Sequence, residues 1–422
     1  MAEPGSTATP GFLRGTILIA GAALAIAVRP LATVMLGGSE VVVSSVDVMN
    51  LVVLLAGAFL LSRTRDRSKW RPDDPAVWVL GAFLLWVGLQ ALVPFVGETF
   101  DVEILTGASR FFGPLALLLG MTWVRRSGDA RENWDWRRAV TVLGLALSLM
   151  IALDAIAALG EPGGFYDWKR AIQVPWIGVS NILAAYTAVA LWASLTLAVR
   201  DHRWIPAPIV LALATVVTLS RAAAIGMVVA VVVVAIGRSR PRLAAVALLL
   251  ATLGLTILPI ALDTEAGADG LVSSAFRVRD EQFTAAFEAF GDDPVFGVGL
   301  NRFEEDVQVR TSQPSAAAVD GVIPYDHPNN AWLVALSETG LVGAGLYLAL
   351  WSLLVARIMR LPDRLEQLSA AGAVAGLAVH AQLEALAFTR GIEVLLALLL
   401  AATWTAPPSA ENASERRASA TF

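Results

Sequence analysis

The side chains with the reach and charge for chemistry gather at a few places in a very apolar chain. Arg221 stands in LSRAA (219–223), Arg277 and Arg279 in AFRVRDEQF (275–283), and Arg110 in TGASRFFG (106–113). A guanidinium presents five donors in a planar fork that matches the oxygens of a phosphate or diphosphate. One membrane arginine on its own also serves as an interfacial anchor, whereas several facing one compartment point to an anion site. His327 lies in IPYDHPNN (323–330), beside Asp326, Asn329 and Asn330. An imidazole suits general-base work near neutral pH, with Asp326 either its orienting partner or the base itself. Pro328 narrows the backbone choices of His327. A third place is GGFYDWKRAIQVPW (163–176), where Tyr166 and Trp168 adjoin Lys169 and Arg170. Such a segment either stacks sugar rings and contacts phosphate, or forms the aromatic belt of a membrane interface.

Composition removes most other chemistries. Charged residues make up 16% of the 422 positions, against ~25% in an ordinary soluble domain. Mean hydropathy is +0.66, more apolar surface than one soluble core could hide. The chain has no Cys and three His, so disulfides, thiolate sites and a Cys nucleophile are excluded, and no multi-histidine metal centre is expected. A net charge of −5 without a long basic tract argues against nucleic-acid binding.

The elements that must position these residues are membrane helices. Apolar runs near 12–36, 47–61, 76–94, 104–124, 138–159, 174–199, 204–219, 221–237, 243–262, 330–356, 369–388 and 391–405 predict about twelve spans across ~30 Å of hydrocarbon. The first run is too long for a signal-peptide core and reads as a span. Alternating the loops from an inner N-terminus puts 21 basic residues on one side and 8 on the other, so the positive-inside rule makes both termini cytoplasmic. The expected fold is therefore all-α: a polytopic helical bundle with a cytoplasmic tail (1–11), spans one to nine (12–262), a large external loop (263–329) holding short helices, spans ten to twelve (330–405) and a second tail (406–422). That loop is acidic, and Phe283, Phe287 and Phe290 have the spacing of an amphipathic stripe. PVFGVGLNRF (294–303) follows with turn-permitting glycines. Glu338, and the pair His380 and Glu384 on one helix face, read as bundle-internal structure.

Three of these segments together resemble one family, the O-antigen ligase/polymerase superfamily of bacterial membrane glycosyltransferases. LSRAA (219–223) is similar to its Ser-Arg motif opening a span. RDEQFTAAFEAFGDDPVFGVGLNRF (279–303) is similar to its external segment, with an arginine four residues before an aromatic and a later Pro-x-x-Gly-x-Gly turn. NNAWLVALSETGLVGAGLY (329–347) is similar to its His-Asn-x-aromatic-Leu…Glu-x-Gly-Leu-x-Gly segment. The resemblance runs from about Ile177 to Arg357. It implies transfer of a glycan from a polyprenyl (undecaprenyl) diphosphate carrier to an acceptor hydroxyl on the outer face of the cytoplasmic membrane, with inversion and without a metal. The acceptor is a glycan or a lipid, which separates polymerase from ligase. By the same resemblance Arg221 and Arg279 hold the donor diphosphate, with Arg277 as the loop alternative. The family histidine falls at Asn329, where relatives read His-Pro-His-Asn and this chain reads His-Pro-Asn-Asn; His327 or Asp326 then takes its role. A twelve-span lipid or glycan transporter is the rival from another class, but no pseudo-repeat between the halves supports it.

Overall fold

A computed structural model describes residues 30–36, 39–62, 72, 74–92, 102–126, 136–159, 173–174, 178–240, 271–303, 306, 328, 330–383, 395–397, 399–400 and 403. Spans 12–36 (apart from its end), 243–262 and most of 391–405 lie outside the described residues. So do Tyr166, Trp168, Lys169, Arg170, Asp326, His327 and Asn329.

Ten helices carry the described architecture. They are α1 (Ser45–Ser62), α2 (Pro75–Leu92), α3 (Val102–Arg126), α4 (Trp136–Ala158), α5 (Ser180–Arg200), α6 (Pro206–Val217), α7 (Arg221–Gly237), α8 (Leu271–Asp292), α9 (Ala331–Ile358) and α10 (Arg364–Leu383). Apolar content without a strong one-sided stripe suits helices that meet protein on one face and hydrocarbon on the other. Leu149, Ile156, Val216 and Val228 stand 63–69% exposed, an arrangement water would penalise and lipid would not. The chain is an integral membrane protein. Among the described residues, Val140–Ala158, Asn181–Arg200 and Ala331–Ile358 are long and apolar enough to cross a membrane by length and composition, the last of them being interrupted at Gly340. The apolar stretches Pro75–Ala91, His202–Val217 and Arg221–Gly237 are shorter, and the expected count of about twelve full-length spans is not reached by these helices.

Two short antiparallel strand pairs modify the all-α expectation. Pro30–Leu36 (β1) pairs with Ser39–Ser44 (β2) in the place where the first span was expected to end. Thr33, Val34 and Val41–Val43 are β-branched, and a Gly-Gly dipeptide separates the runs in sequence; both favour a hairpin over helix. Gln173–Val174 (β3) pairs with Gly178–Val179 (β4), so the expected sixth span begins at Ser180.

The core runs through α2–α7, α9 and α10, with Phe83, Leu117, Leu147, Leu183, Leu211, Tyr347 and Leu354 nearly inaccessible. α7 lies against α10 so closely that a Cβ on Gly226 would stand 2.6 Å from the Gly376 carbonyl oxygen. At one end of these helices Arg364 donates to the Gly237 carbonyl. Gly226 meets Gly376 farther along, so the pair is antiparallel.

Charged side chains from separate loops meet at that Gly237–Arg364 end. Arg200 pairs with Asp363 at 2.8 Å, Arg137 approaches Glu366 at 3.6 Å, and buried Arg357 binds buried Asp74. The four arginines Arg137, Arg200, Arg357 and Arg364 fall on the inner side in the alternation of loops, and here they share one pole of the bundle.

Candidate active site

The opposite pole assembles from the motif segments. Ser220 caps α7, its Oγ accepting from the Ala223 N–H at 3.2 Å, and Leu219 before it takes a left-handed φ of 52°. A serine cap in β-region backbone starts a helix cleanly, which sets Arg221 at the first helical position with its side chain exposed. The antiparallel packing then carries Arg221 to the end of α10 where His380 and Gln382 lie.

Asn330 stands at that same end. Its Oδ1 accepts from the N–H groups of Trp332 (2.9 Å) and Leu333 (3.2 Å), capping α9, while its Nδ2 donates to Gln382 Oε1 at 3.1 Å. Asn330 is fully buried and Gln382 is 1% exposed. One amide thus fixes the start of α9 with its oxygen and ties it to α10 with its nitrogen. Asn330, expected to contact the acceptor, thus caps α9 and links it to α10.

α9 is not one straight span. Gly340 has φ 64° and ψ −169°. The rings of Trp332 and Tyr347 lie 5.2 Å apart, although these positions would be ~22 Å apart along a straight helix. Ala331–Thr339 and Leu341–Ile358 are two helical arms folded at Gly340. The apolar periodicity passes through the break unchanged, so the expected span 330–356 is corrected by a glycine that the hydropathy could not distinguish from its neighbours.

The break frees backbone groups, and the Pro-x-x-Gly-x-Gly turn takes them up. The Val298 N–H donates to the Ser337 carbonyl at 2.9 Å and the Gly299 N–H to the Glu338 carbonyl at 3.0 Å. In return the Leu341 N–H donates to the Pro294 carbonyl at 2.9 Å. The carboxylate of Glu338, 4% exposed, accepts from the Asn301 N–H at 2.8 Å. Gly297 has φ 71°, and a Cβ there would sit 2.6 Å from the Ser337 oxygen. A Cβ on Gly340 would collide with the Val295 carbonyl. Both glycines are required by close backbone approach as well as by left-handed φ.

α2 braces this joint with polar groups that the motif pattern does not single out. Gln90 Nε2 donates to the Phe296 carbonyl and, at 3.2 Å, to the Glu338 carbonyl. Trp86 Nε1 donates to the Thr339 carbonyl at 2.9 Å, and its ring stacks on Phe296 at 4.8 Å. A glutamine and a tryptophan on an apolar helix are the available signal, as are Gln382 and His380 on α10.

α8 brings the loop arginines toward the same joint. It is a single 22-residue helix where short ones were expected. Its buried face is Gln282, Phe283, Ala286 and Ala289, packed with Phe303 and Leu333. The stripe is rotated from the expected one, since Phe287 is 40% exposed. Arg277 and Arg279 sit on α8 and Arg110 on α3, three residues beyond Gly107, whose position meets Leu300 and Asn301. The side chains of these three arginines lie outside the described residues.

The Ser-Arg segment, the capped and glycine-broken helix and its Pro-x-x-Gly-x-Gly partner all fall within one family match. Residues 207–348 match the O-antigen ligase family. That segment is similar to the O-antigen ligase/polymerase superfamily, whose members are glycosyltransferase-like membrane enzymes of polysaccharide biosynthesis. The match begins in α6 and ends in the second arm of α9. It contains Arg221, Arg277, Arg279, Asn330, Glu338 and Gly340, and leaves Arg110, residues 166–170, Gln90 and Gln382 outside. None of the curated proteins compared matches the chain. Within the matched segment, the helix break and the turn are held together by their own hydrogen bonds.

Proposed function

We propose that this chain is an O-antigen ligase-like enzyme. It moves a glycan from a polyprenyl (undecaprenyl) diphosphate to an acceptor hydroxyl at the outer face of the bacterial cytoplasmic membrane, both chain termini being cytoplasmic. The observation that carries the reading is the position of Arg221: first residue of α7, exposed, at the pole where Asn330 caps α9 and Gln382 ends α10.

In this reading Arg221 binds the donor diphosphate, aided by the positive end of α7, and Arg279 or Arg277 supplies the second fork from α8. Arg110 lies on α3 below the turn and completes the cationic surround. The bond from the anomeric carbon to the diphosphate oxygen breaks, and its electron pair leaves with the diphosphate. Arginines stabilise that growing charge in a water-poor site, where such interactions are strongest. The acceptor oxygen attacks from the opposite face, inverting the configuration, and passes its proton to His327 or Asp326. Asn329, at the family's histidine position, is the neighbouring polar group, and Tyr166, Trp168, Lys169 and Arg170 contact the glycan. Asn330 serves this site by holding the arm that follows it. No cofactor takes part. A lipid acceptor makes the enzyme a ligase and a growing glycan makes it a polymerase.

The test is glycan transfer from a polyprenyl-diphosphate donor by purified protein in detergent, where a transporter has no second compartment to serve. Transfer that falls at least a hundredfold in Arg221→Ala supports the reading; undiminished transfer removes it.

A further inference from the structure

α2 lies outside the matched segment, yet two of its side chains close the joint to which the loop arginines are attached. Gln90 is 7% exposed, and its Nε2 donates to the Phe296 carbonyl and, at 3.2 Å, to the Glu338 carbonyl. Its Oε1 has no hydrogen-bond partner among the described residues, so this amide acts through its two donations. Trp86, half-buried, donates from Nε1 to the Thr339 carbonyl at 2.9 Å and stacks on Phe296 at 4.8 Å. Each side chain therefore grips both the Pro-x-x-Gly-x-Gly turn and the first arm of α9. α2 itself is fixed in the bundle, with Phe83 inaccessible and 4.7 Å from the Phe111 ring of α3.

That grip reaches α8 through Asp293, the residue after the helix. Its carbonyl accepts from the Gly297 N–H at 2.8 Å and its Oδ1 from the Phe296 N–H at 3.2 Å. Phe296 is thus tied to the end of α8 and held in turn by α2. The buried face of α8 packs on Phe303 from the turn and Leu333 from the first arm, parts of the same joint. Arg279 stands toward the other end of α8, ~21 Å from Asp293 along the helix. A tilt of about 5° at the joint would carry it through roughly 2 Å, enough to part a guanidinium from its oxygen. The far end of the first arm leads to Arg221, because Asn330 binds Gln382 of α10 and α7 lies along α10.

We propose that Gln90 and Trp86 are positioning residues for recognition of the donor diphosphate. By clamping the turn to the first arm they fix the α8 arginines relative to Arg221, so that both phosphates are held at once. These roles rest on the diphosphate reading of Arg221 and extend it to a helix outside the matched segment. They carry a signature that a loss of stability does not. With the clamp loosened, Arg221 still holds one phosphate while the second fork is misplaced, so the preference for a diphosphate over a monophosphate falls.

The experiment measures binding of farnesyl diphosphate and farnesyl monophosphate to the purified full chain in detergent by calorimetry. The unaltered chain should favour the diphosphate by about tenfold or more, as charge-assisted hydrogen bonds to a second phosphate imply. Gln90→Met keeps the side-chain length and removes both donations; Trp86→Phe keeps a ring on Phe296 and removes one. Each should lower the preference several-fold by weakening the diphosphate and leaving the monophosphate as before. Arg357→Met, at the basic pole where Arg200 and Arg364 also lie, is expected to lose stability and keep the preference. Arg221→Ala should weaken both ligands, which tests the diphosphate reading separately. A preference unchanged in Gln90→Met and Trp86→Phe, while Arg221→Ala weakens binding, overturns the positioning roles and leaves that reading standing. An equal fall in Arg357→Met does the same. An unaltered chain that binds the two ligands alike, or Arg221→Ala without effect, overturns the diphosphate reading and the positioning roles with it.

Discussion

The side-chain amides of Asn330 and Gln382 are hydrogen-bonded at 3.1 Å, both buried, across the joint between α9 and α10. Asn330 spends its oxygen on the helix cap and its nitrogen on Gln382. Replacing it by Ala should therefore cost more than a cap alone. A lost N-cap costs about 0.5–2 kcal/mol, and a buried amide left without its partner costs about 1–3 kcal/mol. Thermal unfolding in detergent should show Asn330→Ala well below Gln382→Ala, which keeps the cap.

The Gly340 break should be intolerant of a side chain. Gly340→Ala meets the Val295 carbonyl and a left-handed φ, so the Pro294–Asn301 turn has to part from α9. Hydrogen exchange at Val298, Gly299 and Asn301 should speed up together. Glu338→Gln should accelerate Asn301 the most, because that amide donates to the carboxylate. Equal protection in Gly340→Ala and the unaltered chain would argue against the interlock.

Asp74 and Arg357 are a buried pair at the basic pole. Removing one partner strands the other charge, which typically costs about 3–5 kcal/mol. Asp74→Asn and Arg357→Met should each lower the unfolding temperature sharply. The double variant should be less destabilised than the sum of the two, a difference that a double-mutant cycle reads directly.

Asp363 gives the basic pole a pH dependence. The Glu366 N–H, which donates to its Oδ1 at 2.8 Å, and then Arg200 hold its carboxyl below the usual carboxylate range. A carboxyl whose folded pKa is depressed contributes stability above its unfolded pKa, and that contribution fades as pH falls through the folded value. Stability should therefore decline on acidification below the ordinary Asp range, and the Asp363 share of that decline should be absent in Asp363→Asn. Because Asp363 is solvent-exposed the effect is small; unfolding followed from neutral pH into that acid range measures it.

Part of this architecture is legible in the amino-acid pattern. Arg221–Gly237 matches the expected span to the residue, because Ser220 is a strong cap and the apolar run stops at Gly237 and Arg238. The motif segments are recognisable one by one, and their order along the chain anticipates the matched region. Their interlock is not legible, since a break at Gly340 is a backbone conformation inside an uninterrupted apolar pattern. Residues 30–36 read as helix although they form a strand, because a short β-branched apolar run satisfies both readings. Phe287 falls off the buried face because three aromatics suggest a stripe that Ala286 and Ala289 occupy instead. The roles of Gln90 and Gln382 depend on carbonyl and amide partners far away in the chain.

The central claim is that Arg221 belongs to a diphosphate-binding site at the pole organised by Asn330. Its most direct measurement is single-turnover transfer of glycan from a polyprenyl-diphosphate donor, comparing the unaltered chain, Arg221→Lys and Arg221→Ala. A fall of at least a hundredfold for Ala with partial recovery for Lys, in protein whose unfolding temperature is unchanged, is the result expected. Equal rates in all three would contradict the account.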